Sequence, residues 1–126
     1  MSDRPVVLVV EDDPEMNELQ RELLDVHGLD SVAAYSGREA LEAHDRDPAD
    51  AVLLDLMLPE IDGFETCRRL RTRNTRPLPI VVITALDSDD CRRRSFEAGA
   101  DAFFTKPFDP DEVIRTIHML LEAKGE

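Results

Sequence analysis

Three short stretches of this sequence are apolar almost without a break: VVLVV at 6–10, AVLL at 51–54 and IVVIT at 80–84. A strand with one wet face alternates apolar and polar residues. A continuous apolar run of four or five residues belongs to a strand covered on both faces, which is the mark of a parallel sheet. Two further runs, SVAAY at 31–35 and AFFT at 102–105, also read as strands.

Each run is followed by a helical pattern. Over 14–27, Met16, Leu19, Leu23, Leu24 and Val26 fall broadly at helical spacing, with Asp13 as N-cap, Pro14 at the first helical position and Gly28 as the stop. A second helix follows Ser36, a third begins near Asp62, and a fourth follows Asp87 or Ser88 and ends at Gly99. The last starts near Asp109 and places Val113, Ile114, Ile117, Leu120 and Leu121 on one face. Strand and helix alternate five times with no repeat, low-complexity tract or linker, so the 126 residues predict one α/β domain, a doubly wound parallel sheet with helices on both faces.

Composition narrows the partners. The net charge is -13 and the pI about 4.5, the wrong sign for non-specific attraction to nucleic acid or an anionic membrane. Nothing approaches the roughly 20 apolar residues of a membrane span, and the acidic N-terminus is no signal peptide. Cys67 and Cys91 stand on different predicted helices and form no metal or redox motif; Cys67 reads as a small buried hydrophobe. A reducing cytoplasm follows as the expected compartment. His27, His44 and His118 all fall on helices, as surface or boundary residues.

In a doubly wound sheet the ligand site lies beyond the carboxyl ends of the strands. The first strand ends in Glu11, Asp12 and Asp13, the third in Asp55, the fourth in Thr84, and the fifth in Thr105, Lys106 and Pro107. Asp55 is the puzzle. A bare carboxylate at the end of a buried run is costly unless water reaches it or a positive charge waits for it. Clustered carboxylates repel unless a cation sits among them, and an oxygen-only donor set with no His or Cys suits Mg2+ better than Zn2+. Lys106 is able to pair with Asp55 or meet a phosphate as a point charge. Asp13 reads as a helix cap rather than a ligand. Asp87, Asp89 and Asp90 read as an acidic helix start, and Arg92, Arg93 and Arg94 as a solvated face.

Four segments, VVLVVEDDP, AVLLDLMLPEIDGFE, IVVITA and GADAFFTKPF, resemble the receiver domain of bacterial two-component response regulators, in order and spacing over the whole chain. The resemblance implies a (βα)5 flavodoxin-like sheet with strand order 2-1-3-4-5. It implies that Asp55 accepts a phosphoryl group from the phosphohistidine of a sensor kinase or phosphotransfer protein. It implies Mg2+ held by Asp12 directly, Glu11 mostly through water, Asp55, and the backbone carbonyl of Met57. Thr84 and Lys106 would bind the phosphoryl group, Lys106–Pro107 would be a cis bond, and Phe103 would stand at the rotating aromatic position that relays the change to the face of helix 4, strand 5 and helix 5. Such a module modifies its own aspartate and is not a turnover enzyme. An output domain or downstream protein, and a weak homodimer, are partners compatible with it; direct nucleic-acid contact and membrane contact are not expected.

Three positions depart from the DNA-binding members of that family. Ala102 follows Asp101 where a second acid is common, and Thr116 and Met119 occupy the last helix where basic residues are common, which argues against their type of salt-bridged dimer. Two other readings were open from the residues: an Asp-nucleophile, Mg2+-dependent phosphohydrolase, and a degenerate receiver used only for protein contacts. Met57 stands where the hydrolase needs its second acid, and no cap insertion exists; every receiver site residue is present.

Overall fold

The computed structural model describes residues 3–73 and 77–124. Five strands and five helices alternate: β1 (Val6–Val10), α1 (Pro14–Val26), β2 (Asp30–Ala34), α2 (Gly37–Arg46), β3 (Ala51–Leu54), α3 (Gly63–Arg73), β4 (Ile80–Thr84), α4 (Asp89–Ala98), β5 (Ala102–Thr105) and α5 (Pro110–Lys124). All pairings are parallel, in the order β2-β1-β3-β4-β5. The sequence places β2 one residue late. It begins at Asp30, whose N–H bonds the Pro5 carbonyl at 2.9 Å, and stops at Ala34.

The continuous apolar runs are explained by two cores, one on each face of the sheet. Leu8, Val10, Val52, Leu54, Ile80 and Val82 pack with α2, α3 and α4 through Leu41, Phe64, Cys67, Leu70 and Cys91. Val7, Val9, Leu53, Val81 and Ile83 turn the other way, onto Leu24 of α1 and Val113, Ile114 and Ile117 of α5. Each fully buried Val, Leu or Ile contributes about 1.5–3 kcal/mol. No described helix is long and apolar enough to cross a membrane.

The helix starts follow their caps. The Asp13 carboxylate accepts from the N–H of Glu15 at 3.0 Å and Met16 at 3.5 Å. The Ser36 hydroxyl accepts from Glu39, and that of Ser88 from Cys91. Gly99 ends α4 at φ 114°, in the left-handed region that only glycine enters freely.

The helical spacing of α1 does not by itself give the buried face, and on α2 one histidine departs from its expected place at the surface or boundary. The core face of α1 is Asn17, Gln20 and Leu24; Leu19 and Val26 point outward, so the apolar residues do not mark the buried side. The Asn17 amide explains why a polar group wins that place: it donates to the carbonyls of Val9, Glu11 and Ala34 at 3.1–3.2 Å, stitching α1 to the ends of β1 and β2. His44 is buried rather than superficial, because its Nδ1 accepts the Ala49 N–H at 3.1 Å and holds the turn that leads into β3. His27 and His118 are half-buried, as expected of boundary residues.

Candidate functional site

The strand ends deliver four of the expected groups to one rim. Asp55 follows β3 and is fixed by its own N–H bond to the Val10 carbonyl at 3.0 Å. Lys106 follows β5, with its N–H on the Thr84 carbonyl at 2.8 Å. The Lys106 ammonium then lies between two carboxylates, 2.7 Å from Glu11 Oε1 and 3.0 Å from Asp55 Oδ2. This settles how the chain tolerates Asp55. The side chain is buried, only 7 % exposed, and the positive charge waiting for it is Lys106.

The remaining carboxylate oxygens are also engaged. Asp55 Oδ1 accepts the Met57 N–H at 3.1 Å, and Glu11 Oε2 accepts the Asp13 N–H at 3.1 Å. Burial raises the pKa of Glu11 above its ordinary value against the opposing pull of Lys106. Burial alone would lower Lys106, but the bonds to Glu11 and Asp55 outweigh it and hold its pKa above the usual lysine range. Lys106 is the shared partner that offsets the cost of burying both carboxylates.

Thr84 is fully buried, and its hydroxyl accepts the Leu86 N–H at 3.2 Å, the same two-residue turn that Met57 makes onto Asp55. Asp12 and Asp13 are exposed, Asp13 as the cap of α1. Met57 and Leu86 are exposed beside the rim. The Lys106–Pro107 bond is cis. Phe103, further back on β5, is turned inward and 7 % exposed, with the Arg92 guanidinium 5.5 Å from its ring centre. Arg92, Arg93 and Arg94 are exposed, as expected of a solvated face, and Arg92 also lies over Phe96 and Arg94 over Phe64.

The loop that carries Asp55 into α3 is tightly built. The Gly63 N–H bonds the Leu56 carbonyl at 2.9 Å, and a Cβ at Gly63 would collide with the Leu56 backbone and the Asp55 carbonyl. Glu60 takes φ 65°, the one described non-glycine residue with positive φ.

As a cation site, the rim offers hard oxygen donors and no nitrogen or sulfur, the donor set of a small alkaline-earth ion. Among the described residues no three His, Cys, Asp or Glu side chains stand as a preformed cage. Lys106 already neutralises Glu11 and Asp55 from one side, while the exposed Asp12 carboxylate is turned to water. The donors fit the ion expected from the sequence.

Sequence reasoning overlooked Asn17, which locks the backbone beneath the acidic pair. Asn17, Gln20 and Leu24 do fall at the i, i+3, i+7 spacing of one face, but two polar side chains among them conceal it.

The family model described as response regulator receiver domain matches residues 7–118. The chain is 43% identical over 115 residues to the response regulator MprA of Mycolicibacterium vanbaalenii, covering 91% of this chain and 49% of that protein. It is 36% identical over 118 residues to the DNA-binding dual master transcriptional regulator RpaA of a Synechocystis strain, covering 93% and 49%. The chain thus spans about half the length of the curated relatives it matches. Among solved structures, the BeF3-activated N-terminal receiver domain of Klebsiella pneumoniae RstA superposes with a TM-score of 0.86 at 38% identity, over 92% of this chain and 97% of that one.

Proposed function

The chain belongs to the response regulator receiver domain family, and from that premise we propose that residues 1–126 form one receiver domain whose Asp55 accepts a phosphoryl group from the phosphohistidine of a sensor kinase or phosphotransfer protein. The observation that carries this reading is the placement of a buried Asp55 carboxylate between Lys106 and the Met57 N–H, with Glu11 joined to the same lysine.

The chemistry follows from those atoms. An Asp55 carboxylate oxygen attacks phosphorus, a P–O bond forms as the P–N bond to the donor imidazole breaks, and the electron pair leaves with that imidazole. Lys106 is placed to follow the charge from the Asp55 carboxylate to the phosphoryl oxygens without reorganising. Thr84, two strands away from Glu11 and beside Asp55, is the hydroxyl available to a phosphoryl oxygen once it turns from Leu86. Mg2+, held by Glu11, Asp12, Asp55 and the Met57 carbonyl, would supply the remaining compensation of phosphoryl charge. Phe103 and Thr84 are the switch residues of this reading, and the surface around Arg92, Phe103 and Ile117 is the face that changes. The domain acts on its own aspartate and has no other substrate. Its charge argues against touching nucleic acid itself, and its place is the cytoplasm.

Acid-labile labelling by acetyl phosphate with Mg2+ tests the assignment. One stable phosphoryl group per chain is expected, lost in Asp55→Asn and on chelation. Rapid turnover of phosphomonoesters would favour a phosphohydrolase, and no labelling would leave a scaffold.

A further inference from the structure

β2 stands at the edge of the sheet, with β1 on one side and no strand on the other. The Asp30 N–H bonds the Pro5 carbonyl at 2.9 Å, and the Ala34 carbonyl accepts the Glu11 N–H at 3.1 Å. Bonding alternates along a parallel strand. Asp30, Val32 and Ala34 therefore turn their backbone groups to β1, while Ser31 and Ala33 turn theirs outward. Among the described residues nothing bonds those outward groups. An edge of this kind is a template for a further strand unless charge or cover prevents it.

The two sides of the edge differ in chemistry. On the α2 side Val32, 43 % exposed, borders a cavity of about 240 Å³ walled by Val6, Leu8, Ala43, His44 and Ala49. An apolar cavity of about 150 Å³ already holds a benzene ring, so this one has room for a Leu or Phe side chain. Arg46 and Asp47 flank it with opposite charges. On the α1 side Ser31 borders an open depression with Glu18, Arg21, Glu22 and Asp25. Arg21 donates to Asn17 Oδ1 at 2.8 Å, and Asp25 pairs with Arg4 at 3.1 Å. Glu18 and Glu22 are exposed and stand in no ion pair among the described residues. A strand laid along β2 would alternate its side chains between these two sides.

We propose that β2 accepts an extended segment of a partner protein as a further strand, one that alternates apolar residues facing the cavity with Lys or Arg facing Glu18 and Glu22. The outward N–H and C=O groups of Ser31 and Ala33 supply its hydrogen bonds, and the cavity and the acids supply its selectivity. Charge decides between the occupants open to such an edge. A second copy of this chain would bring its own Glu18, Glu22 and Asp30 to the contact, on a net charge of -13, and be repelled. The same acids attract a basic strand. The cavity lies among the starts of β1 and β3, at the opposite end of the sheet from Asp55, so the contact stands apart from the phosphoacceptor reading.

The test adds a short capped peptide of alternating Lys and Leu to the wild-type chain while amide shifts are followed. Shifts are expected at Ser31, Val32 and Ala33. Binding is expected to weaken about tenfold when Glu replaces each Lys of the peptide, and to be lost with the fully N-methylated peptide, which keeps the side chains and donates no backbone hydrogen bond. Two variants read the two sides. Ala43→Leu fills the cavity, and Glu18→Lys with Glu22→Lys reverses the acidic flank; each is expected to weaken binding about tenfold. Glu18 and Glu22 are exposed, so the double variant decides the matter even if Ala43→Leu fails to fold. Absence of shifts at Ser31–Ala33, unchanged binding of the N-methylated peptide, or unchanged binding by the double variant overturns the proposal. Shifts at these residues that grow with protein concentration when no peptide is present would assign the edge to a second copy and overturn it as well.

Discussion

Two residues carry costs that the rest of the rim maintains. Glu11 is buried with a raised pKa, so the folded chain binds its proton more tightly than the unfolded one. The stability this group contributes is present below its ordinary value of 4.5 and is lost as pH rises through the folded pKa. Glu11→Gln mimics the protonated form at every pH. In metal-free buffer the Tm advantage of Glu11→Gln over wild type should therefore widen as the pH is raised from 4.5 towards neutrality; a difference that stays flat would mean that Lys106 offsets the burial completely. Glu60 is strained differently. Its φ of 65° is a left-handed conformation that costs an L-residue roughly 1–2 kcal/mol, most of all a β-branched one. Chemical denaturation should find Glu60→Ile about 1 kcal/mol less stable than Glu60→Gly, and equal stabilities would show that the loop relaxes out of that conformation.

At the scale of elements, α1 is held by polar groups as much as by apolar ones. The Asn17 amide serves three carbonyls from the ends of β1 and β2. Asn17→Ala should cost about 2 kcal/mol in urea unfolding, the penalty for buried acceptors that lose their donor. Asn17→Asp should cost more, since a carboxylate facing three carbonyls adds a buried charge and no donor. If alanine proves neutral, or aspartate no worse than alanine, the amide is not what docks this helix. The same element shows where the sequence could be read and where it could not. The caps at Asp13, Ser36 and Ser88 were legible because capping is local, decided by a side chain and an N–H two or three residues on. The buried face of α1 was not, because two of its three buried residues look solvent-facing until the carbonyls from other elements are in place.

For the whole molecule, charge is the main tension. With 28 acidic and 15 basic residues, the fold concentrates a net charge of -13 in one domain, and that self-repulsion is felt less by the expanded chain. Raising potassium chloride from about 0.05 M to about 1 M shortens the Debye length to about 3 Å and screens it. In the presence of a chelator, Tm should rise by about 5 °C for a stabilisation near 1 kcal/mol in a domain of this size. A fall in Tm would mean that the ion pairs, such as Arg73–Asp45 and Arg71–Asp101, outweigh the excess of acid.

The sequence by itself determined the doubly wound sheet, because an apolar run without alternation has only one kind of place to go, between two layers of helices. It also determined which residues end the strands, and so that Glu11, Asp55, Thr84 and Lys106 meet at one rim. Only the tertiary structure decided that Lys106 bridges Glu11 and Asp55 and that Phe103 lies inward. It also decided that α1 turns Asn17 and Gln20 to the core and Leu19 and Val26 to water. Those outcomes depend on distances between elements remote in sequence, where a polar side chain is buried or exposed according to the partners that another strand brings to it.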